Sequence, residues 1–91
     1  FKFDFSNDLS KFADYFSDFL VSNSIDPEQI GLCFSNAGCG EYRKFHSTTF
    51  EHKQMFMQVN LGSHICVADF FASLFVRRFK RGLKSGLGFT S

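Results

Sequence analysis

The sequence predicts a single small domain, residues 1–91, that combines α-helices with short β-strands. Three observations support this prediction. Apolar residues recur at three- and four-residue steps in two segments, which is typical of amphipathic helices. Two other segments alternate or cluster their apolar residues as short strands do. Glycines are frequent after Phe79, where they disfavour a helix and favour an extended tail.

The first part of the chain predicts a strand and then a helix. Residues 1–5 alternate phenylalanine with charged residues, which indicates a short half-buried strand. Apolar residues then recur with helical spacing up to about Val21, and either Asn7 or Asp8 can cap this helix. The polar residues and proline of 22–27 are typical of a helix end.

The middle and end of the chain predict a second strand and a second helix. Residues 30–34 form a short apolar run that enters a glycine-containing loop. Residues 55–61 alternate like a strand but contain the good helix formers Met and Gln, so both assignments stay open. Residues 62–63 suggest a break, and residues 64–75 follow helical spacing, with a strand beginning at Phe75 as the alternative.

The net charge of +1 conceals a gradient along the chain. The acidic, Phe-rich part, residues 1–28, has six acids against two bases, a net charge of −4. The basic part, residues 29–91, has eight bases against three acids, a net charge of +5, and we expect any polyanion to contact it. Three cysteines form no disulfide framework, which favours a reducing compartment. No run is long enough to predict a membrane span.

The loop CFSNAGCGEYRKFHSTTF, which begins at Cys33, contains residue types found in metal and thiol sites. Zinc sites commonly place paired cysteines two to four residues apart. Here five residues lie between Cys33 and Cys39, and six lie between Cys39 and His46. Cys39 lies near cations that favour a thiolate, but no partner that would orient a base is recognisable. We therefore expect packing cysteines and neither a metal, a cofactor nor catalysis.

Two clusters satisfy the looser requirements of anion binding, which are cations, hydroxyls and small residues that let phosphate approach the backbone. The first cluster is in the loop, and the second carries five positive charges in nine residues. Cations near a helix C-terminus that complement the helix dipole are the alternative explanation of the second cluster. The predicted RNA-binding residues are Asn36, Gly38, Arg43, Lys44, Ser47 and Thr48 in the first cluster, and Arg77, Arg78, Lys80, Arg81, Gly82, Lys84 and Ser85 in the second.

Both clusters lie in segments that resemble parts of one protein family. The segment LCFSNAGCGEYRKFHSTTF resembles the strand and loop of the universal small-subunit ribosomal protein eleven family, in which an Ala-Gly-Cys or Ala-Gly-Gly turn precedes basic residues and Ser-Thr-x-Phe. Residues 5–8 are similar to the first strand of that family, and FVRRFKRGLKSGLGF is similar to its strand and glycine turn. The matching residues of the first segment are Ser35, Ala37, Gly38, Cys39, Tyr42, Arg43, Ser47, Thr48 and Phe50.

The resemblance implies an α/β fold, with a small mixed sheet packed by two to three helices and a basic glycine-containing C-terminal extension. It also implies a structural rRNA-binding protein of the small ribosomal subunit that contacts neighbouring ribosomal proteins, with no membrane, no small-molecule substrate and no enzymatic activity. A divergent mitochondrial member would account for the Phe-rich composition and for a chain that starts at Phe1, as part of a longer precursor. The alternative is a protein-interaction subunit of another large organellar complex.

Overall fold

The computed structural model describes residues 1–40 and 44–90. A π-helical segment spans Gln58–Gly62, and short 3₁₀ helices span Leu9–Lys11, Pro27–Gln29 and Phe45–Ser47. The α/β class predicted from the sequence is confirmed, because helices pack against a small sheet. The main elements are α1 (Phe12–Ser22), β1 (Leu32–Ser35), α2 (Phe50–Met57), α3 (Ser63–Lys80) and β2 (Gly86–Phe89).

The N-terminal strand predicted for residues 1–5 is wrong. None of the described residues pairs with this segment, and its aromatic rings pack on α1 instead. Phe1 contacts Phe16 with ring centroids 5.1 Å apart, and Phe3 contacts Phe12 at 5.4 Å. The alternating phenylalanines are therefore accommodated by edge-to-face aromatic packing, which requires no neighbouring strand.

Helix α1 follows a short 3₁₀ turn capped by Asp8, one of the two predicted capping residues. The Asp8 carboxylate accepts hydrogen bonds from the backbone N–H of Ser10 at 3.0 Å and from its hydroxyl at 2.7 Å. These bonds lower the pKa of the Asp8 carboxyl below its ordinary value, because they favour the charged form. The helix ends at Ser22, close to the predicted end, and buries Phe12 and Leu20.

The core lies between α1 and α3. Val67, Phe71 and Leu74 of α3 are spaced by four and three residues, so they share one helix face, and Phe12 of α1 packs against them. Phe16 and Phe70 add an edge contact at 5.1 Å. Complete burial of one such side chain contributes about 1.5–3 kcal/mol, so this aromatic interface accounts for much of the folding energy.

Residues 50–80 form one continuous helix, which settles the open assignment of residues 55–61 as helical. The break predicted at residues 62–63 is wrong, because Gly62 has helical dihedral angles. A Cβ atom at Gly62 would lie 2.5 Å from Cδ1 of Leu9, so this glycine permits close packing rather than ending the helix. The π-helical segment accommodates one wider turn within the helix.

The continuous helix also changes the expectation about membrane spans. Among the described residues, Phe50–Lys80 is long and apolar enough to cross a membrane by length and composition, with a mean hydropathy of 1.5 over 18 residues. The sequence prediction missed this because it divided the helix at Gly62. A core helix of a globular protein can meet the same criterion, so the expected absence of membrane contact stays a prediction.

The strands β1 and β2 form a parallel pair with Leu32 opposite Gly86 and Phe34 opposite Gly88. Cys33 and Leu87, the alternate residues, pack toward the core beneath α3. On the outer face, the ring of Phe34 packs over Gly88. A Cβ atom added at Gly88 would lie only 2.7 Å from Cδ1 of Phe34. Phe34 covers the glycine strand, which explains the Gly-x-Gly pattern of β2.

The observed sheet is narrower than the predicted one. Within residues 1–40 and 44–90 it has two strands and is parallel, so the mixed sheet implied by the resemblance is not observed. β1 and β2 can be parallel because α3 crosses between them and returns the chain to the start of the sheet. The prediction that the segment after Lys80 serves as a basic extension stays a prediction.

Candidate nucleic-acid interface

The second predicted cluster surrounds the C-terminal end of α3. Arg77, Lys80 and Lys84 have exposed side chains, and within the described part of the chain no acidic residue pairs with them. Arg81 is also exposed, and its Nη1 lies 2.9 Å from Oε2 of Glu28. An ion pair this exposed contributes about 0–1 kcal/mol, so Arg81 remains available to a more strongly charged partner.

Arg78 has a different role from its neighbours, because its side chain is buried and only 9% exposed. Its Nε donates to the hydroxyl of Ser85 at 2.8 Å, and Nη2 donates to the carbonyl of Lys84 at 2.9 Å. Nη1 donates to the carbonyl of Glu28. The guanidinium is therefore used within the protein and holds Ser85, which is itself exposed, so the RNA contact predicted for Ser85 stays a prediction and the one predicted for Arg78 has no guanidinium nitrogen left unbonded in this arrangement.

Gly82 allows α3 to end in a tight and well-defined turn. It adopts φ +75°, a left-handed conformation that favours glycine. Its N–H donates to the carbonyl of Phe79 at 2.9 Å, and the N–H of Leu83 donates to the carbonyl of Arg78 at 3.0 Å. These two bonds form a Schellman motif, which positions Lys84 immediately beyond the helix end.

The first predicted cluster is anchored to the π-helical segment by Asn60. The backbone N–H of Cys39 donates to Oδ1 of Asn60, and Nδ2 of Asn60 donates to the carbonyl of Cys39, both at 2.8 Å. A Cβ atom at Gly38 would lie 2.9 Å from the same Oδ1, so Gly38 permits this contact. Asn36 lies at the end of β1, where its Oδ1 accepts a hydrogen bond from the hydroxyl of Thr90.

The polar residues that follow this loop lie around a 3₁₀ turn. The carbonyl of Lys44 accepts hydrogen bonds from the N–H of Ser47 at 3.0 Å and from the hydroxyl of Thr48 at 3.2 Å. The side chains of Lys44 and Ser47 are exposed, and Thr48 is half-buried. Lys53 lies 3.7 Å from the ring centroid of Phe45 and adds a cation to the same surface. Arg43 lies outside the described residues.

The structure does not bring the two clusters together. Asn60 holds the loop at the start of α3, whereas Arg78 lies in the last turn of that helix. Eighteen residues at 1.5 Å per residue separate these two positions by about 27 Å along the helix axis. The part of the first cluster that Asn60 holds is therefore far from Arg78, and the residues from Lys44 to Thr48 lie before α2, so the clusters are two separate surfaces.

The cysteines and histidines of the loop are not assembled into a metal site in the described part of the chain, where no three His, Cys, Asp or Glu side chains lie together. Burial raises the pKa of the Cys33 and Cys66 thiols, which keeps them protonated. Oγ of Ser35 lies 2.5 Å from Nδ1 of His64, but the serine is buried with 4% exposed. This pair packs the end of β1 against α3.

Sequence reasoning missed the structural roles of Arg78 and Asn60. Arg78 lies four residues after Leu74 and seven after Phe71, so it continues the buried face of α3, and this spacing was a recognisable signal. Asn60 had no comparable signal, because its partner is a backbone group 21 residues away. Comparison of the chain with protein-family models, curated proteins and solved structures gives no match. The resemblance to the ribosomal family therefore stays a prediction.

Proposed function

We propose that the chain is a structural, non-catalytic RNA-binding component of a mitochondrial small ribosomal subunit. The observation that supports this proposal is the group of exposed cations at the end of α3, which we call the cationic turn. Its side chains lie within eight residues, and among the described residues only one of them forms an ion pair. The cationic turn consists of Arg77, Lys80, Arg81 and Lys84.

The physical basis of the proposal is phosphate neutralisation. Each cation that contacts a phosphate releases condensed counterions, so affinity falls as the salt concentration rises. Four contacts to single-stranded RNA give a slope of about −3 for the logarithm of the binding constant against the logarithm of the salt concentration. The basic, glycine-containing segment after Lys80 would serve as the extension that lies on rRNA.

The helix dipole does not account for the whole cationic turn. Arg77 and Lys80 lie in the last turn of α3, where each cation interacts favourably with the dipole by about 0.3–1 kcal/mol. Lys84 lies beyond the Schellman motif, and the dipole effect decreases within one turn of the helix end. An external anion is the simpler explanation for a cation at this position.

The loop residues Lys44, Ser47 and Thr48 would form a second contact with RNA. Their surface lies just before α2, at the other end of the continuous helix of residues 50–80, so one protein would hold two separate RNA segments. An assembly protein that orders rRNA in this way needs no cofactor and no catalytic residue. Its remaining surface would contact neighbouring ribosomal proteins.

The experiment compares two charge-reversed proteins in organelle extracts. In the first, Arg77, Lys80, Arg81 and Lys84 become Glu, and Arg78 is kept because it holds the fold. In the control, Lys2 and Lys11, which are exposed on the acidic part, become Glu. We expect the first protein to leave the small-subunit fraction on a sedimentation gradient and the control to remain. Co-sedimentation of both proteins would contradict the proposal.

A second candidate function is supported by the exposed apolar face of the long helix. Met57, Leu61, Ile65, Val76 and Phe79 are each more than half exposed and lie opposite the buried face of α3. A helix that is apolar on two faces is usually covered on both, here by a neighbouring protein subunit. Nuclease treatment separates the candidates, because it releases a protein held by RNA and leaves a protein-bound subunit in its complex.

A further inference from the structure

An open cleft lies beside the cationic turn, between the last turns of α3 and the segment that leads to β2. Its volume is about 520 Å³, within the range of roughly 300–1,000 Å³ that is usual for ligand pockets. Phe75, Phe79 and Leu83 supply its apolar walls. Gly82, Lys84 and Ser85 line the remainder.

Hydrogen bonds within the chain hold the lining of the cleft in place. The Schellman motif fixes Gly82 and Leu83 against the helix end. The hydrogen bonds from Arg78 fix Lys84 and Ser85 from beneath. A ligand that enters the cleft therefore has little backbone to order, which lowers the free-energy cost of binding.

Phe79 is the feature of the cleft that best suits an aromatic ligand. Its side chain is 79% exposed, and no other aromatic ring of the described residues stacks on it. Most phenylalanines of the N-terminal part and of α3 instead pack on one another, for example Phe16 on Phe70. An exposed aromatic face with adjacent cations fits a flat ring that is joined to phosphates.

The chemistry favours a base of single-stranded RNA over a base pair within a duplex. Bases in an A-form helix are stacked on their neighbours, and the deep major groove excludes side chains. A splayed base can stack on an aromatic ring while cations contact the phosphates on each side. Lys80 and Lys84 follow Phe79 at one and five residues in the sequence, and both are exposed.

We propose that this cleft seats one unstacked base of single-stranded RNA on the ring of Phe79, with Lys80 and Lys84 at the adjoining phosphates. The inference rests on the proposed RNA-binding function and adds a base-binding pocket to it. Stacking is tolerant of sequence, because every base has an aromatic face. The cleft therefore selects for unpaired RNA and not for a particular base.

The test measures binding of the purified protein to three labelled probes by fluorescence anisotropy at several salt concentrations. The probes are a short single-stranded RNA, the same RNA as a duplex, and a sugar-phosphate backbone of equal length without bases. We expect Phe79→Ala to weaken binding of the single strand by about 5- to 150-fold at an unchanged salt slope. Binding of the baseless backbone should not change, and Phe79→Tyr should bind like the unmodified protein.

Two further variants separate stacking from charge. Phe50→Ala removes another exposed phenylalanine, 69% exposed at the start of α2, and should have no effect. Lys84→Gln should reduce the salt slope by about 0.7. If the unmodified protein binds none of the probes, both the proposed function and the pocket are wrong. If it binds and Phe79→Ala binds equally well, or if Phe79→Ala weakens the baseless probe to the same extent, only the pocket is wrong.

Discussion

The guanidinium group of Arg78 donates a hydrogen bond from Nε to the hydroxyl oxygen of Ser85, at a distance of 2.8 Å. Both residues belong to the cluster that the sequence predicts to bind RNA, yet they bind each other. The same guanidinium bonds the carbonyls of Glu28 and Lys84, which precede β1 and β2 respectively. Arg78 therefore fastens the end of α3 to the beginning of both strands.

We expect Arg78→Met to lower the free energy of unfolding by roughly 2–4 kcal/mol, because bonds to a charged group are lost and buried carbonyls lose their donors. Urea denaturation measures this change. Arg77→Met is the matched control, since Arg77 is exposed in the same helix turn and should change stability by about 0.5 kcal/mol or less. Equal midpoints for the two variants would show that Arg78 is not structural.

Gly31 should tolerate no side chain. A Cβ atom there would lie 2.7 Å from Nη2 of Arg78, and that nitrogen is held by the carbonyl of Lys84. We expect Gly31→Ala to lower the thermal midpoint through a loss of about 1–3 kcal/mol. Gly88→Ala is the control, because its Cβ atom meets only the ring of Phe34, which can rotate toward solvent. A smaller loss at Gly31 than at Gly88 would refute this argument.

Asn60 should control the order of the loop near Cys39. Asn60→Ala removes both the oxygen that accepts from the Cys39 N–H and the amide that donates to the Cys39 carbonyl, so both backbone bonds are lost. Because the two bonds together contribute about 1–3 kcal/mol locally, protection of the Cys39 amide should fall on the order of 10- to 100-fold in hydrogen exchange. Gln54→Ala makes a similar truncation at an exposed residue of α2, and we expect protection of the Cys39 amide to persist in that variant.

The three thiols should react in a definite order. Burial raises the pKa of Cys33 and Cys66, so fewer of these thiols are ionised at a given pH, and only the thiolate reacts. Cys39 is exposed. Brief alkylation at pH 8 followed by peptide mass spectrometry should label Cys39 first, and raising the pH should increase labelling of the other two. Simultaneous labelling of all three at pH 8 would contradict the observed burial.

Local patterns predicted the elements that depend on local physics. The helical period of α1, the Asp8 cap of the 3₁₀ turn before it and the apolar run of β1 are all determined within a few residues. The prediction of a strand at residues 1–5 was wrong because a period-two pattern indicates burial on one side and does not specify a neighbouring strand. The prediction of a break at Gly62 was wrong because this glycine permits close packing against Leu9, which is distant in the sequence.

The candidate site was predicted in its residue types but not in its geometry. A run of cations predicts a surface suited to a polyanion, and four of the five in the second cluster are exposed. The burial of Arg78 follows from its position on the core face of α3, which a count of charges does not reveal. The separation of the two clusters depends on the length of one uninterrupted helix, and a predicted break had concealed that length.

The register that places Leu32 beside Gly86 has a consequence for the order of events during synthesis. β1 leaves the translating ribosome more than fifty residues before its only observed partner strand. During elongation at roughly 5–20 residues per second, the exposed edge of β1 stays unpaired for seconds. Any nascent chain that stops before Gly86 lacks the strand that closes this edge, so a stop codon shortly before that residue should yield a protein recognised by chaperones and proteases.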